Sequence, residues 1–123
     1  MRRFILIMFA LLAGCATDDM RKRPSSLELA SSHSANSVAA CIVGRWADAA
    51  EHETEWLSPT DYPINMRKIA GGYSVSAIAN NLFKTSKGAL ADIEDTSHGS
   101  TTRYFKNGLG TDDPFGNAVK ECQ

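Results

Sequence analysis

The chain has 123 residues, of which 43% are hydrophobic and 22% are charged, and its formal net charge is −1. This length suits a single domain. The near-neutral charge argues against a nucleic-acid partner, because such binding needs a basic patch or stripe.

The first fifteen residues follow the pattern of a secretory signal. Arg2 and Arg3 give a positive start, the stretch 4–12 is apolar, and the small residues Ala13 and Gly14 precede Cys15. A charged start, a short apolar core and a small-residue cleavage site define such signals. The alternative is a buried core helix, which the charged residues at 18–23 disfavour. The apolar stretch is too short to span a bilayer, which needs about 20 residues.

The motif Leu12-Ala13-Gly14-Cys15 resembles the lipobox of bacterial lipoproteins. The resemblance implies that residues 1–14 are removed as a signal peptide and that Cys15 receives a diacylglyceryl group. It also implies acylation, for example with palmitate, at the new amino terminus, and two or more acyl chains anchor a protein stably. In the enterobacterial sorting rule an aspartate after the cysteine retains the protein in the inner membrane. Because Ala16 stands there, the resemblance implies the outer membrane, on its periplasmic face.

Residues 15–36 are predicted to be the lipidated cysteine and a flexible tether. The segment is polar, rich in serine and poor in large apolar side chains, which is typical of disordered chain. As a coil it would hold the domain roughly 25 Å from the bilayer. The basic run 21–23 is interpreted as a solvated juxtamembrane segment that can touch anionic headgroups. The domain is then expected over 37–123, in a mature chain with a net charge of −3 once Arg2 and Arg3 are removed.

Cys41 and Cys122 are predicted to form a disulfide. They are an even pair once Cys15 is lipidated, and the periplasm favours disulfides. Each lies on the apolar stripe of a predicted helix, the first over 37–49 with Asn36 or Ser37 as its cap. The alternative is two buried free thiols. A metal site is not favoured, because the chain has no CxxC motif and its histidines are scattered.

The segment between the two helices predicts short strands joined by turns. An acidic loop is expected over 50–63, a loop over 80–88, and a last helix that opens at Asp113 and Pro114. Alternating apolar and polar residues place the strands at 64–68, 73–77, 89–94 and 101–106. Short connections favour an antiparallel meander. The predicted fold is therefore α+β: three or four strands flanked by an N-terminal and a C-terminal helix, both packed on one face.

The layout of the mature chain also resembles that of small uncharacterised bacterial lipoproteins. The shared features are Cys41 and Trp46 in a helix, Gly72-Tyr73-Ser74-Val75 in a strand, Gly99-Ser100 in a turn, and a terminal Cys122. The resemblance carries no established activity.

No catalytic, cofactor or metal site is predicted. Glu51-His52-Glu53 lacks the second histidine of a zinc-protease helix. Ser97-His98 lies on a turn, and Asp92 with Glu94 falls on the solvated face of a strand. Trp56 is predicted to pack on the core or, alternatively, to contact a partner.

The sequence therefore favours a non-enzymatic, membrane-tethered binding or structural module of the cell envelope with a possible protein partner there. The alternative is a periplasmic inhibitor or immunity protein. In that case the acidic residues Glu51, Glu53 and Glu55, with Trp56, would meet a basic toxin or hydrolase.

Overall fold

The computed structural model describes residues 20–54, 63–81, 84–107 and 113–123, with backbone alone for 51–54, 79–81 and 84–87. The elements in chain order are β1 (Leu27–Ser31), α1 (Ala35–Thr54), β2 (Ile64–Ile69), β3 (Gly72–Asn81), β4 (Lys84–Thr96), β5 (Gly99–Asn107) and α2 (Pro114–Glu121). The α+β class predicted from the sequence is confirmed.

The sheet has five strands in the order β1-β5-β4-β3-β2, and all neighbours are antiparallel. The strands β2 to β5 form the predicted meander. The fifth strand comes from an unexpected place, because β1 precedes the first helix and pairs with β5, Leu27 opposite Tyr104. The predicted count of three or four strands is too low, and the order helix–strands–helix is wrong at its start.

The prediction of a flexible tether through residue 36 is therefore wrong for its second half. Leu27 and Leu29 alternate with exposed residues and lie partly buried against the main core. Two leucines two residues apart are enough for a short edge strand when β5 supplies its hydrogen bonds. Before β1, Met20 is also buried, with 6% of its surface exposed.

Helix α1 begins earlier and ends later than predicted. The hydroxyl of Ser34, rather than Asn36 or Ser37, accepts from the backbone N–H of Ser37 at 3.3 Å and caps the helix. The helix continues to Thr54, so the first part of the predicted acidic loop is helical. The predicted loop over 80–88 is also wrong where it is described, because β3 extends to Asn81 and β4 starts at Lys84.

Helix α2 begins as predicted. Pro114 stands in its first turn, and the carboxylate of Asp113 accepts from the backbone N–H of Gly116 at 3.0 Å. Helices α1 and α2 contribute to one core with the sheet, centred on Trp46. Its indole N–H donates to the Phe115 carbonyl at 3.0 Å, and its ring meets those of Tyr104 and Phe115 edge-on.

The predicted disulfide is confirmed. Cys41 of α1 is bonded to Cys122, directly after α2, with 5.7 Å between the Cα atoms. The bond closes a loop of 81 residues. It therefore joins the first helix to the far end of the described chain.

Candidate functional site

The structure describes only some of the predicted site residues. Cys15, Glu55 and Trp56 lie outside the described residues, so their predicted roles remain predictions. Glu51 and Glu53 lie in the last turn of α1, where the backbone alone is described.

The face of the sheet opposite the helices carries most of the strands' polar side chains that the structure describes, and it is called the open face. Register places these residues on it: Glu28, Ala30, Asn65, Arg67, Ser74, Ser76, Leu90, Asp92, Glu94, Thr101, Arg103 and Phe105. The chain before β1 crosses this face. There Met20 packs with Leu90 and Phe105 in a small second core, with Ile78 at its margin.

A polar cluster next to this second core fixes Arg21 to the sheet. Its Nε donates to Asp92 Oδ2 at 2.7 Å, and its Nη2 donates to Asp92 Oδ1 at 3.0 Å. Nη2 also donates to the Ser74 hydroxyl at 3.1 Å, which in turn donates to Asp92 Oδ1 at 2.8 Å. The side chains of Arg21 and Asp92 keep only 26% and 14% of their surface exposed. A two-pronged, partly desolvated pair of this kind is stronger and more directional than an exposed ion pair.

The cluster belongs to a row of side chains that crosses all five strands. In register order the row is Glu28, Arg103, Asp92, Ser74 and Arg67. A cavity of about 110 Å³ lies beside it, lined by Arg21, Asp92, Glu94, Thr101, Arg103 and Phe105. The cavity is far smaller than typical small-molecule pockets of roughly 300–1,000 Å³.

The hydrogen bonds of this cluster attach the chain before β1 to strands β3 and β4 of the sheet. The Asp92 carboxylate already accepts from Arg21 and Ser74. The Ser74 hydroxyl donates its proton to a carboxylate that is itself held by a guanidinium.

A second polar cluster lies between β5 and the start of α2. The Tyr104 hydroxyl donates to both oxygens of Asp113, at 2.9 and 3.0 Å, and Lys106 Nζ is 3.9 Å from Asp113 Oδ2. Burial, the charge of Asp113 and the hydrogen bond to it all raise the pKa of Tyr104 well above its usual value of about 10. The phenol therefore stays protonated and holds the cap of α2.

Neither cluster was predicted from the sequence. Asp92 was interpreted as a solvated charge and Arg21 as part of a juxtamembrane basic run. Asp92 follows Leu90 on the open face of β4, and Phe105 of β5 lies opposite Leu90 on the same face. These two apolar side chains on a mostly polar face are the local sign that something covers it.

Among the described residues, no three histidine, cysteine, aspartate or glutamate side chains are grouped to hold a metal ion. In the same part of the chain, no helix has both the length and the apolar composition needed to cross a bilayer. Comparisons with protein-family models, with curated proteins and with solved structures give no match.

Proposed function

We propose that this chain is a lipoprotein of the bacterial envelope, anchored through Cys15 to the periplasmic face of the outer membrane. The motif Leu12-Ala13-Gly14-Cys15 after an apolar signal core carries the proposal. The disulfide between Cys41 and Cys122 supports it, because disulfides persist in the periplasm and are rare in the cytosol.

The folded domain is proposed to be a binding or structural module without chemistry of its own. Its two described polar clusters support this view, since each carboxylate in them is occupied by donors from the same chain. Their hydrogen bonds join separate elements of the fold. A protein of the envelope is the expected partner.

The anchor is tested by metabolic labelling with radioactive palmitate. Cys15→Ser should abolish labelling, because the acceptor thiol is lost. The matched control is the double variant Cys41→Ser/Cys122→Ser. It keeps the thiol of Cys15 and should still be labelled. Continued labelling of Cys15→Ser would refute the lipoprotein proposal.

The proposed location in the outer membrane is tested by one further substitution. In an enterobacterial host, Ala16→Asp should shift the protein from the outer to the inner membrane fraction, whereas Ala16→Ser should not. An unchanged distribution would refute the proposed sorting.

The module proposal is tested by cross-linking and pull-down from detergent-solubilised envelope. Capture of a membrane assembly supports a module of the envelope. Capture of a single soluble, basic hydrolase supports the alternative of an inhibitor. A hydrolase activity that one side-chain change removes would refute both.

A further inference from the structure

The position of Met20 limits how far the domain can move from a lipid on Cys15. Met20 is buried against Leu90 and Phe105 on the open face, and Arg21 is held there by Asp92. The chain is therefore attached to the fold from Met20 onward, and residues 16–19 alone link it to the lipid-bearing cysteine. These four residues are called the linker.

The reach of the linker follows from backbone geometry. Five residue steps separate the Cα atoms of Cys15 and Met20, and an extended chain advances at most about 3.6 Å per residue. Whatever its conformation, the linker spans no more than about 18 Å. This is less than the mean distance first estimated for a tether that ended at residue 36.

The thickness of the domain exceeds this reach. A helix with its side chains is about 10–12 Å across, and packed layers in a sheet protein lie about 10 Å apart. The path from Met20 around a sheet edge to the outer surface of α1 or α2 is therefore longer than roughly 20 Å. The outer helix surface cannot be the part of the domain nearest to the lipid.

The charge on the open-face side is compatible with a phospholipid surface. The exposed basic residues there are Arg23, Arg67 and Arg103, against the exposed acidic residues Glu28 and Glu94. The mature chain as a whole has an excess of acidic residues. The linker adds Asp18 and Asp19, so the charges on this side give no net attraction to anionic headgroups, and the length of the linker sets the orientation.

We propose that the open face lies against the phospholipid headgroups and that α1 and α2 point away from the membrane. The inference rests on the proposed lipid at Cys15. It assigns the outer surfaces of the two helices, with the disulfide between them, as the side that a soluble or membrane-bound partner meets.

The orientation is tested with the mature lipidated protein in vesicles of phosphatidylethanolamine and phosphatidylglycerol that contain a headgroup-nitroxide lipid. A fluorophore is attached, without reductant, to Ala30→Cys on the open face or to Asn117→Cys on α2. Both positions are exposed. Because nitroxide quenching falls steeply with distance, the label at position 30 should be quenched several-fold more than the label at 117.

A linker variant is the matched control. Insertion of ten glycine and serine residues between Thr17 and Asp18 raises the maximal span from about 18 Å to about 54 Å, and the difference between the two labels should shrink. Equal quenching in the parent protein, with lipid on Cys15 shown by mass spectrometry, would overturn the orientation and leave the anchor standing. An undiminished difference after the insertion would show that the linker does not set it. Absence of lipid on Cys15 would overturn the anchor, and the inference with it.

Discussion

Asp92 is the residue on which attachment of the chain before β1 depends. Replacement by asparagine keeps the shape of the side chain but leaves the Arg21 guanidinium partly buried without its counter-charge. Loss of one partner of a buried pair costs more than loss of an exposed pair. For this intermediate case we expect Asp92→Asn to lower the free energy of unfolding by about 1–2 kcal/mol.

Urea unfolding at pH 7 measures this change. Glu94→Gln, an exposed carboxylate two residues along the same strand face, is the control and should change stability by less than about 0.5 kcal/mol. Trypsin should also cut after Arg21 faster in Asp92→Asn than in the parent. Equal losses in the two variants would contradict the assigned role of Asp92.

Tyr104 makes the free energy of unfolding depend on pH in the alkaline range. Its pKa is raised in the folded state, so only the unfolded chain ionises this phenol near pH 10. The stabilisation is complete below about pH 10 and is lost as the pH rises towards the folded-state pKa. Above pH 10, we expect the free energy of unfolding to fall more steeply with pH in the parent than in Tyr104→Phe. The two slopes should differ by the equivalent of one proton released on unfolding.

Two measurements check the Tyr104 prediction. At pH 7, Tyr104→Phe should cost about 1–2 kcal/mol in urea unfolding, because Asp113 loses a donor. Ultraviolet titration of the folded proteins should show the same phenolate absorbance for parent and variant up to the onset of unfolding. An additional phenolate in the parent, absent from the variant before unfolding, would disprove the raised pKa.

At the scale of elements, substitutions in β1 distinguish a structural strand from the tether that the sequence predicts for this segment. Leu29 is partly buried against the main core, whereas Ala30 on the same strand is exposed. We expect Leu29→Ala to lower the free energy of unfolding by about 1–2 kcal/mol, below the range for fully buried leucines. Ala30→Ser should be close to neutral in the same urea experiment, and a neutral Leu29→Ala would restore the tether interpretation.

Elements with strong local signals could be predicted from the sequence, and the others could not. Alternation of apolar and polar residues placed β2, β3, β4 and β5, and Asp113 with Pro114 placed the start of α2. The serine-rich segment 25–34 has a polar composition that hides β1, because an edge strand supported by β5 needs only two apolar residues. The cap at Ser34 was missed for the same reason, since neighbouring serines and an asparagine offer equally good caps.

The candidate site was harder to predict than the fold. The ion pair between Arg21 and Asp92 joins residues 71 positions apart in the sequence, and no local pattern marks such a pair. The disulfide, by contrast, could be predicted because cysteines are few and each lay on an apolar helical stripe. Long-range polar contacts depend on the three-dimensional path of the chain, which composition and periodicity do not specify.

At the scale of the whole molecule, the disulfide is expected to supply a large share of the stability. The chain-entropy model gives about 4.5 kcal/mol for a loop of this length, and small domains are stable by about 5–15 kcal/mol. We expect Cys41→Ala/Cys122→Ala to lose about 3–4 kcal/mol in urea unfolding, and the reduced parent to behave similarly. A loss below about 1 kcal/mol would mean that the bond constrains the unfolded chain far less than this model assumes.

The pairing of β1 with β5 also has a consequence for the time course of folding. The partner of the first strand is made only after α1 and three further strands, and the thiol partner of Cys41 later still. Contacts between residues so distant in sequence slow folding. During synthesis, β1 therefore has no strand partner, and the thiol of Cys41 stays reduced, until nearly the whole described chain has emerged.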